Sequence, residues 1–443
     1  MFRLEGDVFF INNYIAVVMS GLKIGTSIRL SNGETALVKA RLASGGQGVV
    51  YLVKVGGKKM AMKWYLKHPG KSFFNNLMDN VHRGAPAQNF IWPLAVTEEV
   101  RGSFGYVMEL RPKGYEDMSR FILLKAKFAD IHAQLNACLQ ICKAFQKLHI
   151  HGLSYQDMND GNFFINPKTG DVLICDNDNV APDKMSMGVL GKAGYMAPEI
   201  IEGVSMPNRY TDYYSLAVCL FILIYMNRPF EGEWNLSCPC DNNPEMARQL
   251  FGFNSVFIMD PDNRKNRPVP GLHNNVIRRW GVYPSFLGRA FCKTFSAEAI
   301  KDPTLRLMDK QWYNILLQIR SMFSKCPHCG KETFVDVLGQ DPRCVYCQNP
   351  IAVSSLKVGR FTLPLLPKQP IWACQISTEQ SVDVKAGEVV VKHGVIGLKN
   401  VSRTPWTVIL PDSSVKIISK GGSFHVQKGL KIRFGQAETG EII

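Results

Sequence analysis

The chain has 443 residues, too many for one ordinary domain, and 46% are apolar against 20% charged. Two to four globular units with sizeable cores are therefore expected, and neither a disordered nor a fibrous chain. The formal net charge of +15 fits nucleic acid, an acidic partner or a solvated surface; with no basic low-complexity run or nucleic-acid motif, the surface reading is preferred and nucleic acid is not an expected partner.

In chain order, Met1–Val18 comes first. Its "VFFINNYIAVV" has no basic leader and makes a poor signal peptide. Residues 1–23 are expected to be an N-terminal extension whose Met1–Val18 part is dispensable, with a sensible domain start at Met19; an added edge strand or helix from that part is the alternative. Strand-like and helix-like patterns then mix from residue 24 to 323. "ARLASGGQGVVYLV" (Ala40–Val53) flanks a glycine cluster with β-branched runs, and Gly45, Gly46 and Gly48 let the backbone approach phosphates. "KKMAMKWYL" puts Lys63 inside an apolar strand, either as an edge charge or as a phosphate ligand. Leu153–Asn179 holds two clusters of Asp and Asn split by a hairpin-like "NPKTGD". Such clusters build turns, or hold a cation against an anionic substrate. "LAVCLFILIYM" (Leu216–Met226) is shorter than the ~20 residues that span a bilayer and reads as a buried helix, so no membrane association is expected.

Twelve cysteines are present, and most are scattered, as suits reduced thiols in the cytoplasm. Four are not scattered: "CPHCGKETFVDVLGQDPRCVYC" sets Cys326-x-x-Cys329 and Cys344-x-x-Cys347 around a probable hairpin. Two such knuckles close a tetrahedral structural zinc site with no open position. A redox pair is the competing reading. "CPC" (Cys238–Cys240) is expected to be a loop feature. "LPLLPKQP" looks like a linker. The remainder alternates apolar and polar residues between Gly, Asn and Ser turns, the pattern of an all-β module.

Taken in order, the motifs from 24 to 323 resemble the eukaryotic-like protein kinase family. "ASGGQGVVY" resembles its Gly-rich loop, with Ala43 in place of the first glycine. "MAMK" resembles the strand bearing the ATP lysine, and "YVMEL" the strand entering the hinge. "YQDMNDGN" resembles the catalytic loop and "CDNDN" the metal-binding motif. "GYMAPEI", "TDYYSLAV" and "KDPTLRLMDKQW" follow as expected. The resemblance implies that Ala43, Gly45, Gly46, Gly48, Val50 and Lys63 line ATP, with Met108 as gatekeeper and Glu109, Leu110 and Arg111 at the adenine. It implies Asp157 as proton acceptor, Asn162 and Asp176 as ligands of magnesium or manganese, and Lys63 on the α and β phosphates. It implies a Glu199–Arg306 ion pair and an Asp212 that braces the catalytic loop. It also implies ATP as cosubstrate and a protein as substrate.

The departures are specific. Tyr155-Gln156 stands where the family has His-Arg, so no arginine awaits a phosphorylated activation loop, whose hydroxyl candidate is Ser186. Asn159 replaces a lysine. Asn177 and Asp178 replace the Phe and Gly of the metal motif. No glutamate lies between Lys63 and Trp92, leaving Asp79 and Asn76 as candidate partners of the lysine. With "VFIMDPDNRKNRP" (Val256–Pro268), these departures resemble a bacterial subgroup found beside a von Willebrand A protein and a metal-dependent protein phosphatase. The expected fold is α+β: a bilobal kinase-like domain (24–323, N-lobe about 24–108, C-lobe about 109–323), a zinc ribbon (324–351), a linker (352–370) and a β-sandwich (371–443) faintly resembling a degenerate forkhead-associated domain. The expected function is an ATP- and magnesium-dependent Ser/Thr protein kinase in stress signalling. A pseudokinase scaffold is the alternative.

Overall fold

Period-two alternation in "TALVKARLAS", "GVVYLVKV" and "KKMAMKWY" produces strands that present different residues to their two faces. In the computed structural model these are β2 (Thr35–Ser44), β3 (Gly48–Val55) and β4 (Lys58–Tyr65), joined by β1 (Ser27–Arg29), β5 (Ala95–Val96) and β6 (Gly105–Glu109). The order is β1-β2-β3-β4-β6-β5, and every pairing is antiparallel. The structure describes residues 21–188, 191–238, 243–339, 341–377, 382, 384–435 and 438–443. The expectation for Met1–Val18 and the centre of the "CPC" loop lie outside these residues.

The alternation decides where Lys63 points. Val38, Tyr51, Val53, Met62, Trp64 and Val107 form a core on one face of the sheet. Ala61, Tyr65, Tyr106 and Met108 pack on the other with Phe73 and Leu77, which belong to the helix Lys71–Arg83. Lys63 lies between Ala61 and Tyr65 in β4, opposite Val50 and Tyr106. It therefore shares the face that carries the helix.

Further along the chain, the helices Ile131–Ile150 and Arg209–Tyr225 make the next core. Asp130 caps the first through the Ala133 amide. Asn208 and Thr211 form a capping box at the second, which satisfies its first free amides. Leu216–Tyr225 is completely buried. Among the described residues no helix is long and apolar enough to cross a membrane. The strands Phe163–Ile165 and Val172–Ile174 pair as the expected hairpin, Val172 opposite Ile165. Asn166 closes its turn by accepting the Lys168 amide on its side chain.

Backbone proximity divides the chain into two units. One runs to Phe230 and adds Ser237–Val256 and Ala297–Asp309; the other takes in Glu231–Leu236, Phe257–Ser296 and Lys310–Ile443. Among the described residues the second unit contains two large antiparallel sheets, besides the two-stranded pairing of Phe323–Lys325 with Glu332–Phe334. The larger has the order Phe361–Pro364, Ser355–Val358, Thr439–Ile442, Lys431–Phe434, Trp406–Ile409, Val415–Ile418; the smaller has Pro370–Trp372, Lys385–Lys392, Val395–Asn400, Ser423–His425. Trp406 of the larger sheet lies against Gly387 of the smaller, where a Cβ would meet its ring at 2.4 Å. This close approach requires glycine.

Residues 355–364, inside the stretch expected as a linker, are two strands of the larger sheet, with Leu356 opposite both Leu363 and Ile442. Their alternation is clear once looked for: Leu356, Val358, Phe361 and Leu363 are all buried. The proline-rich "LPLLPKQP" drew attention away from it. Gln318, Gln369 and Gln375 bind the helix that ends at Met322 to this β region: Gln318 donates to the Thr362 carbonyl and accepts its amide, Gln369 donates to the Ser321 carbonyl, and Gln375 to the Ser321 hydroxyl.

Candidate active site

Lys63 is almost fully buried, and its ammonium has two carboxylate neighbours. Nζ lies 2.8 Å from Asp178 and 3.5 Å from Asp176. Asp178 is completely buried and also accepts the Tyr65 hydroxyl at 2.5 Å. Burial disfavours the Lys63 ammonium, but Asp178 and then Asp176 outweigh it and hold its pKa above the ordinary value. Neither Asp79 nor Asn76, the two candidates from the sequence, partners this lysine. Asp79 is exposed. Asn76 and Asn80 donate instead to the Val180 carbonyl at 2.8 and 2.7 Å. The counter-ion thus comes from the metal-motif segment itself. The signal was in the sequence: an acid at a position where the family resemblance calls for glycine.

The rest of that segment is locked by amides. Asn177 donates to the carbonyls of Ile91 (2.7 Å) and Ile174 (2.8 Å). Asp176 has left-handed backbone, φ 52°, which Asp and Asn tolerate better than most residues. Its carboxyl is raised by burial, an effect that Lys63 opposes and Asp178 reinforces.

The catalytic-loop candidates converge on Asp157. Asn159 Nδ2 donates to Asp157 Oδ1 at 2.9 Å. Asn162 Nδ2 donates to the Asp157 carbonyl at 2.8 Å and lies 3.4 Å from Oδ2, which leaves Asn162 Oδ1 as its atom for a cation. Burial raises the Asp157 carboxyl, and the amides of Asn159 and Asn162 hold the rise back. A carboxylate moved up toward neutrality is better suited to accept a proton. Asp157, Asp176 and Asp178 set three carboxylates against one lysine, so the cluster is short of positive charge. The free donors are carboxylate and amide oxygens, the hard set that magnesium or manganese prefers. On both counts the residues fit a divalent metal with a nucleotide phosphate.

Bracing is carried by buried ion pairs. Asp212 Oδ2 accepts the Tyr155 amide at 2.7 Å and lies 3.1 Å from His149 Nε2. His149 Nδ1 is 2.7 Å from Asp309. Burial would lower the imidazole, but the two aspartates raise it to about 9. Tyr155, fully buried, donates its hydroxyl to the Cys175 carbonyl. It thereby links the catalytic loop to the residue before Asp176. Glu199 and Arg306 form a bidentate pair at 2.7 and 2.8 Å, with Arg306 also donating to the Ala299 carbonyl. Gln156 donates to the Met185 carbonyl at 2.7 Å and accepts the Met187 amide at 3.2 Å. It holds both sides of Ser186 with a neutral side chain.

The nucleotide-lining candidates fall into two groups. Ala43 sits one residue before the end of β2, opposite Val50, and Val50 is also the partner of Lys63. A Cβ at Gly45 or Gly46 would meet nothing within 4 Å, whereas at Gly48 it would sit 2.4 Å from the Trp64 carbonyl. Gly48 therefore serves strand pairing as well as any ligand. Met108 is buried at the end of β6 beside exposed Glu109 and Leu110. The Arg111 guanidinium stacks 3.7 Å over Phe164, leaving its backbone to the hinge.

In the second unit, Cys326, Cys329, Cys344 and Cys347 bring their sulfurs within 4.8 Å of one another. Cys326 and Cys347 are 3.8 Å apart, Cys329 and Cys344 3.7 Å. A tetrahedron with Zn–S bonds of about 2.3 Å has edges of about 3.8 Å. The His328 and Tyr346 amides approach Cys326 and Cys344 Sγ at 3.4 Å. Burial opposes the Cys344 thiolate, but the Cys347 and Tyr346 amides bring the thiol down to about 6. Val335, Ile351 and Leu366 pack around the cluster. In the same unit, Ser402 is committed to its own turn. Its hydroxyl bonds to Asn400 Oδ1 (2.7 Å) and the Thr404 carbonyl (3.0 Å).

The protein kinase domain family matches residues 37–264. Among curated proteins, the chain is similar to Protein kinase gsk31 of Schizosaccharomyces pombe, 23% identical over 164 residues that cover 36% of this chain and 41% of that one. It is similar to CDPK-related kinase 7 of Arabidopsis thaliana, 27% identical over 177 residues, 39% of this chain and 27% of that one. It is also similar to Calcium/calmodulin-dependent serine/threonine-protein kinase 1 of Oryza sativa subsp. japonica, 29% identical over 129 residues, 28% of this chain and 21% of that one. The chain spans less than half the length of each of these relatives.

Proposed function

The chain belongs to the protein kinase domain family, and on that premise we propose that it is an ATP- and magnesium-dependent protein serine/threonine kinase. The substrate hydroxyl oxygen bonds to the γ-phosphorus of ATP as the bond from that phosphorus to the β–γ bridging oxygen breaks. ADP leaves with the electron pair, and Asp157 accepts the hydroxyl proton. Magnesium or manganese, when bound, neutralises and orients the phosphates. Asn162 Oδ1 and Asp176 are the residues that would hold it. Lys63 is assigned to the α and β phosphates, and the Glu109–Arg111 backbone to adenine.

The observation that carries this reading is the charge-deficient cluster. Asp178 and Asp176 flank a buried lysine, and Asp157, bonded to Asn162, adds a third carboxylate that leaves negative charge unbalanced. A bound metal and nucleotide would restore the balance. In the other unit, the cysteine cluster is assigned to one structural zinc. The resemblance to a bacterial subgroup adds a cytoplasmic stress-signalling setting, with a von Willebrand A protein and a metal-dependent protein phosphatase as partners. The replacement of a lysine by Asn159 favours a second reading, a scaffold that binds nucleotide without transfer.

Purified full-length chain with magnesium and γ-labelled ATP tests the choice. Label on protein above an Asp157→Ala control is expected. Nucleotide binding with no transfer to itself or to either proposed partner would favour the scaffold.

A further inference from the structure

Asn159 removes a cation from the place where the phosphoryl group is transferred, and a lysine from another segment stands close by. Lys192 Nζ lies 2.6 Å from Asp160 Oδ1, on the carboxylate between Asn159 and Asn162 in sequence. Asp160 is nearly buried and takes a second cation, Arg228, at 3.4 Å. The Lys192 side chain, by contrast, is 57% exposed. The residue before it, Gly191, packs on the catalytic loop: a Cβ there would lie 3.4 Å from Asp157 Oδ1 and 3.7 Å from the Gln156 carbonyl. The Lys192 carbonyl is anchored by the amides of Tyr195 (2.9 Å) and Met196 (3.1 Å). The backbone that carries the lysine is thus fixed beside Asp157, and its ammonium rests on the same loop.

We infer that Lys192 supplies, from the activation segment, the cation that Asn159 lacks, and contacts the γ-phosphoryl group of bound nucleotide. This rests on the proposed nucleotide site. Arg228 remains to Asp160 when Lys192 turns toward the phosphate, so the move does not strip that carboxylate of its cations. The lysine end of the pair lies in solvent and Asp160 has Arg228 as a second cation, so fold stability alone gives weak reason for a lysine at this position. Its flexible stem and point charge suit a phosphate oxygen.

The test uses full-length chain with magnesium and compares affinity for a non-hydrolysable ATP analogue with affinity for ADP. Lys192→Met is expected to weaken the analogue by on the order of ten- to a hundredfold, the worth of one charge-assisted hydrogen bond, and to leave ADP unchanged. Asn159→Lys with Lys192→Thr, which returns the cation to the catalytic loop, is expected to restore analogue affinity. Melting temperatures identify any variant that fails to fold, and Lys192→Arg serves as the milder substitute in that case. Equal loss for analogue and ADP, or no loss for either, would overturn the inference. The readout needs no transfer. A wild type that transfers no label but discriminates the analogue through Lys192 keeps this inference and removes the kinase reading. A wild type that binds neither nucleotide removes both.

Discussion

The Lys63 pocket and the cysteine cluster both gather charge into a small volume, and they balance it in opposite ways. In the pocket the protein brings its own cation: Lys63 neutralises Asp178 at 2.8 Å and leans on Asp176. In the cluster four sulfurs converge, and their thiolate forms would repel one another without a cation between them. In the pocket the Lys63–Asp178 pair is made within the chain, and the charge left on Asp157 and Asp176 is what the proposed metal and nucleotide would meet. The cysteine segment, with the zinc proposed for it, would depend on its ligand for its shape. Removing metal should therefore cost structure in one region and activity in the other.

The largest effect is expected at the cysteines. Structural zinc contributes ~10–16 kcal/mol in small zinc modules. Purified reduced protein should carry about one zinc per chain. Cys344→Ser should lose it and expose residues 324–351 to proteolysis, with label transfer less affected. Metal analysis that finds no zinc in fresh reduced protein would break the contrast.

Next come the carboxylates of the pocket. Asp157→Ala and Asp176→Ala should each lower transfer by on the order of 10²–10⁴, with melting temperature nearly unchanged. Wild-type rates in either would remove its assigned role. Asp178→Asn should behave differently. It leaves Lys63 buried without its main counter-ion, a change that costs about 3 kcal/mol or more, so stability and nucleotide binding should fall together. Asp79→Asn should change neither, and the pair of variants is best read by chemical denaturation.

Those variants also mark how far the sequence could be read. Motif order brought Lys63, Asp157, Asn162, Asp176, Glu199, Asp212 and Arg306 to notice, because each such role demands one residue type at one place in the chain. Glu199 pairs with Arg306, and Asp212 accepts the Tyr155 amide. Asp178 was seen only as a departure. Its role depends on which way β4 presents Lys63 and on Tyr65 two residues later, and pairing across 113 residues leaves no local pattern. His149 and Asp309 escaped notice for the same reason. A lone histidine on an apolar helix looks like filler until Asp309 arrives from 160 residues away. The strands at 355–364 were hidden for a simpler reason: each is four residues long, too short for alternation to stand out beside prolines.

His149 gives a smaller effect that extends the contrast to pH. Its imidazole goes from an ordinary 6.5 to about 9 in the folded chain. A raised pKa means that the folded state binds the proton more tightly. The stabilisation is complete below about pH 6.5 and is lost as pH climbs through about 9, on the order of 3 kcal/mol in all. Wild type should therefore lose stability relative to His149→Gln between pH 6 and 9.5. A constant difference across that range would show that the two aspartates do not hold the charged form.

The smallest effect is expected at Ser186, and it tests whether this protein places its charges in advance or waits for modification. A phosphorylated activation loop needs a cation to receive about two negative charges. Here the receiving position is Gln156, which already binds both neighbours of Ser186 through the Met185 carbonyl and the Met187 amide. Gln156 itself holds a left-handed backbone, φ 70°, a geometry that the two bonds help to fix. The segment is thus ordered by neutral hydrogen bonds that need no phosphate. Lys63, too, draws its counter-ion from Asp178 rather than from the helix Lys71–Arg83. Ser186→Ala should keep most of the transfer rate, and Ser186→Glu should gain little, whereas Gln156→Ala should lower the rate by loosening the segment. A large loss in Ser186→Ala that Ser186→Glu restores would show that a phosphate does order this loop, and that some cation other than residue 156 receives it.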